Sequence, residues 1–260
     1  MADDPGDIPE ADRRDGAPHP RHTSTLIGHA AAEGAFLDAF AGGRLHHAWL
    51  LAGPRGVGKA TLAWRLARFL LATPAPETGL FGAPEPTATL DIPADDPVAR
   101  RVAALSEPRL MLIRRPFDTK AKRPKQEIPV DEVRRLQGFF GLSAAEGGRR
   151  VVIVDAADEM TTAAANALLK LLEEPPANAT LLLVSHAPAR LLPTIRSRCR
   201  TLRLAPLAPD ELARALAQAG VAAEEPAPLA ALAEGSVGRA LGLIEGEGTA
   251  FYAALVQLMA

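Results

Sequence analysis

The stretch "GPRGVGKAT", Gly53 to Thr61, decides the fold, because it is a phosphate-cradling loop with one element missing. The pattern G-x-x-x-x-G-K-[ST] holds from Gly53 through Gly58 and Lys59, and Ala60 then stands where a hydroxyl belongs. In such loops the backbone N–H groups and the lysine hold phosphate, while the hydroxyl ligates Mg²⁺. The context is the one the motif requires. "AWLLAG" before it is a short apolar run that reads as a buried strand. "KATLAWRLARFLLA" after it places Leu62, Leu66, Phe69 and Leu70 at helical spacing.

Working outward, further apolar runs repeat the strand–helix alternation. "RLMLIRR" is a second strand, and it leads into "PFDTKAKRPKQEIPV", a basic loop carrying Lys120, Lys122, Arg123 and Lys125. That loop reads as a solvated hairpin tip or as a DNA-facing patch. "DEVRRLQGFFG" is an amphipathic helix through Val133, Leu136 and Phe140, with Asp131 as the expected N-cap. "RRVVIVDAADEM" is a third strand ending in Asp155, in the place of the second metal-holding element of such ATPases. Ala156 follows it, where a hydrolytic enzyme usually carries a glutamate to polarise water.

"TTAAANALLKLLEEPP" is a helix stopped by Pro175 and Pro176. "ATLLLVSH" is a fourth strand ending in Ser185, and a fifth runs from Thr201 to Leu204. Five apolar strands separated by helices predict a parallel, doubly wound α/β domain over residues 23–206, with a proline-rich surface insertion at 73–98. Lys59, Asp155 and Ser185 all fall at carboxyl ends of strands, where such sheets bind ligands. After Pro206 the texture is helical alone, giving a small helical domain over 207–246. Residues 247–260 begin one more helix, inside which the chain stops. Residues 1–22 hold almost no large apolar side chains and read as a disordered leader.

Composition sets the outer bounds. The chain has 260 residues, 48% hydrophobic, with a net charge of −2 and one cysteine. This excludes a disulfide framework and a multi-cysteine zinc site, and argues against a dedicated electrostatic nucleic-acid binder. No apolar run is long enough to span a membrane, and the expected location is the cytoplasm.

"HHAWLLAGPRGVGKATLA", "VVIVDAADEMTTAAANALLKLLEEPP" and "LLPTIRSRCRTL" resemble the delta-prime subunits of the bacterial DNA polymerase III clamp loader, from about Thr23 to Gly246. The resemblance implies an AAA+ module with a helical lid and, beyond it, a helical collar that assembles a five-subunit ring. The implied partners are gamma/tau and delta subunits and, through the complex, the sliding clamp and primed DNA. It also implies Arg198 of "SRC" as an arginine finger acting in trans on ATP held by a neighbour. Three departures separate the chain from an active motor: Ala60, Ala156, and Gly238, which stands where active subunits carry a lid arginine. Thr61 is no simple substitute for the lost hydroxyl, since one residue rotates a helical side chain by ~100°. The expectation is a subunit without ATPase or polymerase activity of its own inside a nucleotidyltransferase complex. Its vestigial or idle nucleotide site comprises Gly53, Gly56, Gly58, Lys59, Thr61, Asp155 and Ser185. No cofactor is required, no metal or zinc module is expected, and Cys199 is a packing residue. The alternatives are an ATP-hydrolysing AAA+ motor, such as gamma/tau or a branch-migration helicase, and a stand-alone DNA-binding module.

Overall fold

A computed structural model of the chain describes residues 10–13, 17–74, 89–141, 148–221 and 226–246. The elements run α1 (Ala30–Ala41), β1 (Ala48–Ala52), α2 (Lys59–Ala72), α3 (Pro97–Ala103), β2 (Leu110–Arg114), β3 (Phe117–Asp118), β4 (Arg123–Pro124) and α4 (Val130–Gly141). They continue β5 (Arg150–Asp155), α5 (Thr162–Glu173), β6 (Ala179–Ser185), α6 (Pro193–Ser197) and β7 (Arg200–Arg203). Three helices follow, α7 (Pro209–Gln218), α8 (Pro226–Leu232) and α9 (Val237–Glu245).

The main sheet has five strands in the order β2-β5-β6-β1-β7, every neighbouring pair parallel. Alternate side chains of a strand point to opposite faces, and here both faces are covered. Trp49, Leu51, Val151, Ile153, Leu182 and Val184 pack beneath α1 and α2 with Phe36, Leu62 and Phe69. Leu50, Val152, Val154, Leu181 and Leu183 pack on the other side against Leu136, Leu168 and Ile195 of α4, α5 and α6. Burial on both faces is why these strands read as unbroken apolar runs. A separate apolar cluster joins Leu212 and Leu216 of α7 to Leu229, Ala230, Ala240 and Leu241 of α8 and α9.

Several sequence expectations change. Residues 1–9 and 14–16 lie outside the described residues, but part of the rest of the expected disordered leader is packed. The Arg68 guanidinium donates to the carbonyls of Arg21 (2.7 Å) and Thr23 (2.6 Å). His19 is buried against Trp64, and Asp12 is ion-paired with Arg114. Composition missed this because the contacts are polar and are made to distant elements, while the leader has no apolar face to reveal them.

Of the 73–98 insertion, 75–88 lie outside the described residues. The remainder is not a free loop. Leu90 is buried, Asp91 pairs with Arg65 at 2.9 Å, and the Asp96 carboxylate caps α3 by accepting from the N–H groups of Val98 and Ala99. Asp131 is not the N-cap of α4. It lies in the first helical turn, paired with Arg134. The basic loop does form a hairpin, β3 against β4, with Lys120, Lys122 and Lys125 exposed. Residues 247–260 lie outside the described residues.

Candidate functional site

The loop between β1 and α2 owes its shape to close approaches and left-handed backbone. A Cβ on Gly53 would lie 2.2 Å from the Leu204 carbonyl oxygen. Gly56 and Gly58 have φ of 79° and 106°, which side-chain-bearing residues rarely adopt. Val57 between them is buried, and its carbonyl is bonded to the His29 ring Nε2 at 2.7 Å. Lys59 opens α2 at the positive end of the helix, the place where anions are favoured. Its ammonium group, however, donates to the loop's own Pro54 carbonyl. Thr61 lies one residue beyond Ala60 in the same turn, partly exposed.

Asp155, Lys59 and Ser185 gather as expected at the carboxyl ends of β5, β1 and β6. Ala52 is in register with Ser185, and Asp155 with Val184. Burial pushes the Asp155 carboxyl up to about 7, helped by the negative charge of Asp12 and opposed by Lys59. Burial lowers the Lys59 ammonium to about 8, against the pull of Asp155 and Asp158. Ser185 is fully buried, and its hydroxyl has no hydrogen-bond partner among the described residues.

Three neighbours escaped the sequence reading. Asp158 accepts from the backbone N–H groups of His186 (2.9 Å) and Ala187 (3.2 Å), locking the end of β6 to the turn after β5. His186 is held neutral, at about 4, first by burial and then by Lys59 and Arg55. Glu159 is engaged by Arg55 at 2.7 Å and by Arg115 at 2.8 Å. The carboxylates of "DAADE" were visible as residues, but their partners come from loops far away in sequence.

The start of α9 rests directly on the loop. The Ser236 hydroxyl donates to the Arg55 carbonyl at 2.9 Å, and the Gly238 N–H donates to the Gly56 carbonyl at 3.2 Å. A Cβ added to Gly56 would lie 2.4 Å from Ser236 Oγ and 2.9 Å from Gly238 Cα. Arg239, one place later, pairs with Glu234. The site therefore fits a phosphate in part: the curved glycine backbone and Lys59 are present. A metal hydroxyl at position 60 and a lid arginine at 238 are not.

Arg198 is not part of this constellation. It follows α6 as its C-cap, two residues before β7 begins opposite Trp49 at the amino end of β1. About 10 Å of strand separates that level from Ala52 and Ser185. Its guanidinium pairs with Glu173 Oε1 at 2.9 Å and donates to the Thr194 carbonyl at 3.1 Å. Arg200 lies over the Trp49 ring, 5.1 Å from its centroid. Burial pushes the Cys199 thiol up to about 12 beside the α5–α6 core, consistent with packing rather than reactivity.

A family model described as DNA polymerase III, delta subunit, matches residues 28–208, more than half of the chain. The protein belongs to this family. Within it, the DNA polymerase III subunit delta' of Pseudomonas aeruginosa is 41% identical over 160 residues, covering 61% of this chain and 43% of that relative. The subunit delta' of Escherichia coli is 45% identical over 125 residues, covering 47% and 37%. The DNA polymerase III subunit gamma/tau of Mycobacterium tuberculosis is also similar, 31% identical over 212 residues, covering 79% of this chain and 33% of the relative. The aligned region thus spans about two fifths of the length of the delta' relatives. Among solved structures, the Thermotoga maritima RuvB Holliday junction branch migration motor superposes with a TM-score of 0.50 at 19% identity, over 87% of this chain and 64% of that one. That likeness concerns the fold alone. No helix among the described residues is long and apolar enough to cross a membrane.

Proposed function

We propose that this protein is a non-hydrolysing clamp-loader subunit that lends Arg198 to ATP bound on a neighbouring gamma/tau-type subunit. With gamma/tau and delta partners in a five-membered ring, it helps to load the sliding clamp onto primed DNA. One observation carries the reading: Arg198 stands before the amino end of the edge strand β7, whereas Lys59, Asp155 and Ser185 lie at the carboxyl ends of β1, β5 and β6. An arginine there cannot serve the chain's own phosphate loop, whereas a subunit packed against that edge can present its nucleotide to it. Fingers of this kind stabilise charge on the transferring phosphoryl group.

The chain's own loop supports the non-hydrolysing half of the reading. Ala60 supplies no metal hydroxyl, and Ala156 no carboxylate to polarise water. Of the neighbouring acids, Asp158 accepts from the backbone N–H groups of His186 and Ala187, and Glu159 is shared between two arginines. Were a nucleotide held, the backbone at 56–58 and Lys59 would hold its phosphates. The likeness to gamma/tau favours a second reading, a hydrolysing motor, and ATP turnover by the isolated chain separates the two.

The test is a loader reconstituted with Arg198→Ala, Arg198→Lys or Arg200→Ala at saturating subunit, scored by DNA-stimulated ATPase and clamp loading. Loss of a finger costs ~10³–10⁵ in rate at the site it serves, diluted in the ring by sites facing other subunits. Arg198→Lys rescues poorly, because an ammonium lacks the planar two-donor fork. Arg200→Ala, which removes only the contact with Trp49, does little. Wild-type behaviour of Arg198→Ala, or greater damage from Arg200→Ala, refutes the assignment.

A further inference from the structure

We infer that Glu173 is a positioning residue for Arg198, an inference that rests on the reading of Arg198 as a finger acting in trans. Glu173 is the last residue of α5, where a carboxylate faces the negative end of the helix dipole and is disfavoured. A cation at that place offsets the penalty, and Arg198 supplies it through Nη2 at 2.9 Å from Oε1.

The second anchor comes from a different element. Arg198 Nη1 donates to the Thr194 carbonyl in α6, so the guanidinium is braced between α5 and α6. The two helices pack on the same face of the sheet. Pro175 and Pro176 stop α5 just beyond Glu173, and Pro193 opens α6, so both anchors stand on rigid chain.

A guanidinium has five N–H donors, and these two contacts leave the rest of the fork for an anion. The side chains of Arg198 and Glu173 are 36% and 49% exposed. The contact therefore does little to hold the core together. Its effect is to select one orientation of an otherwise flexible side chain before a neighbour's phosphate arrives. Freed of Glu173, the arginine reaches that orientation at an entropic cost on each encounter. An exposed pair of this kind biases such a choice by at most about fivefold.

The experiment uses the reconstituted loader, measuring kcat and KM for ATP with primed DNA and clamp present. The part of turnover that Arg198→Ala abolishes defines the Arg198-dependent share, and the Glu173 variants are scored on that share. Glu173→Ala is expected to lower it about two- to fivefold through kcat, with KM unchanged. Glu173→Gln, which keeps an acceptor oxygen, is expected to restore most of the loss. In the Arg198→Ala background Glu173→Ala is expected to add nothing, and thermal unfolding is expected to be unmoved by either Glu173 change.

Wild-type turnover of Glu173→Ala, while Arg198→Ala is damaging, overturns the positioning role and leaves the finger standing. So does an equal effect in the Arg198→Ala background. Faster turnover in Glu173→Ala would mean that the carboxylate holds the arginine back, and also overturns it. A silent Arg198→Ala removes the finger reading itself, and this inference with it.

Discussion

Replacing Asp155 by asparagine should stabilise the fold progressively as pH rises from about 4 to about 7. The carboxyl group's ordinary value of 3.8 is raised to about 7, first by burial and then by the nearby negative charge of Asp12. Between these two values the folded chain keeps a proton that the unfolded chain has released. Stability therefore falls as pH rises through the window, and the cost is complete above it. Three units at about 1.4 kcal/mol each bound that cost near 4 kcal/mol, and access of water to the open side of the carboxyl leaves about 2–4 kcal/mol. Asparagine cannot ionise, so that slope disappears; Lys59, at about 8 with the pull of Asp155, falls further without it, which adds to the variant's relative gain near the top of the window. The assay is urea denaturation of wild type and Asp155→Asn at half-unit steps from pH 4.5 to 7.5. Any constant offset from the amide's own hydrogen bonding is irrelevant, because the argument concerns the change with pH. A difference between the two proteins that stays flat, or narrows toward neutrality, would refute a buried, proton-holding carboxyl at the end of β5.

Three further outcomes test the loop and its contacts. The isolated chain should show no ATP turnover above background, and a rate of ~1 s⁻¹ or more would contradict the non-hydrolysing reading. Adding Ala60→Thr and Ala156→Glu should not create a competent enzyme, because Gly238 still lies against Gly56 and no neighbour's arginine is present. Ser236→Ala should cost about 1–2 kcal/mol in chemical denaturation, since the hydroxyl both caps α9 and bonds the Arg55 carbonyl. A change below about 0.5 kcal/mol would show that the contact between α9 and the loop contributes nothing.

The sequence by itself determined the five parallel strands, the glycine loop and the place of Asp155 and Ser185 at strand ends. These depend on local properties: alternation of side chains on doubly buried strands, φ angles that glycine tolerates, and apolar spacing along helices. The same locality exposed the losses at Ala60 and Ala156, which are substitutions inside a motif of fixed spacing. Only the tertiary structure decided which groups meet across long separations. It placed Asp12 and His19 of the acidic leader against Arg114 and Trp64, and Glu159 between Arg55 and Arg115. It set Ser236 and Gly238 on the phosphate loop. Ion pairs and backbone bonds between distant segments leave no periodic trace in either partner, so composition read the leader as disordered and gave no sign of the partners of Glu159 and Ser236. The position of Arg198 is of the same kind. Its triplet was legible, but only the return of the chain through α6 to the amino end of β7 put it at the end of the strands away from the loop, braced by a glutamate of another helix.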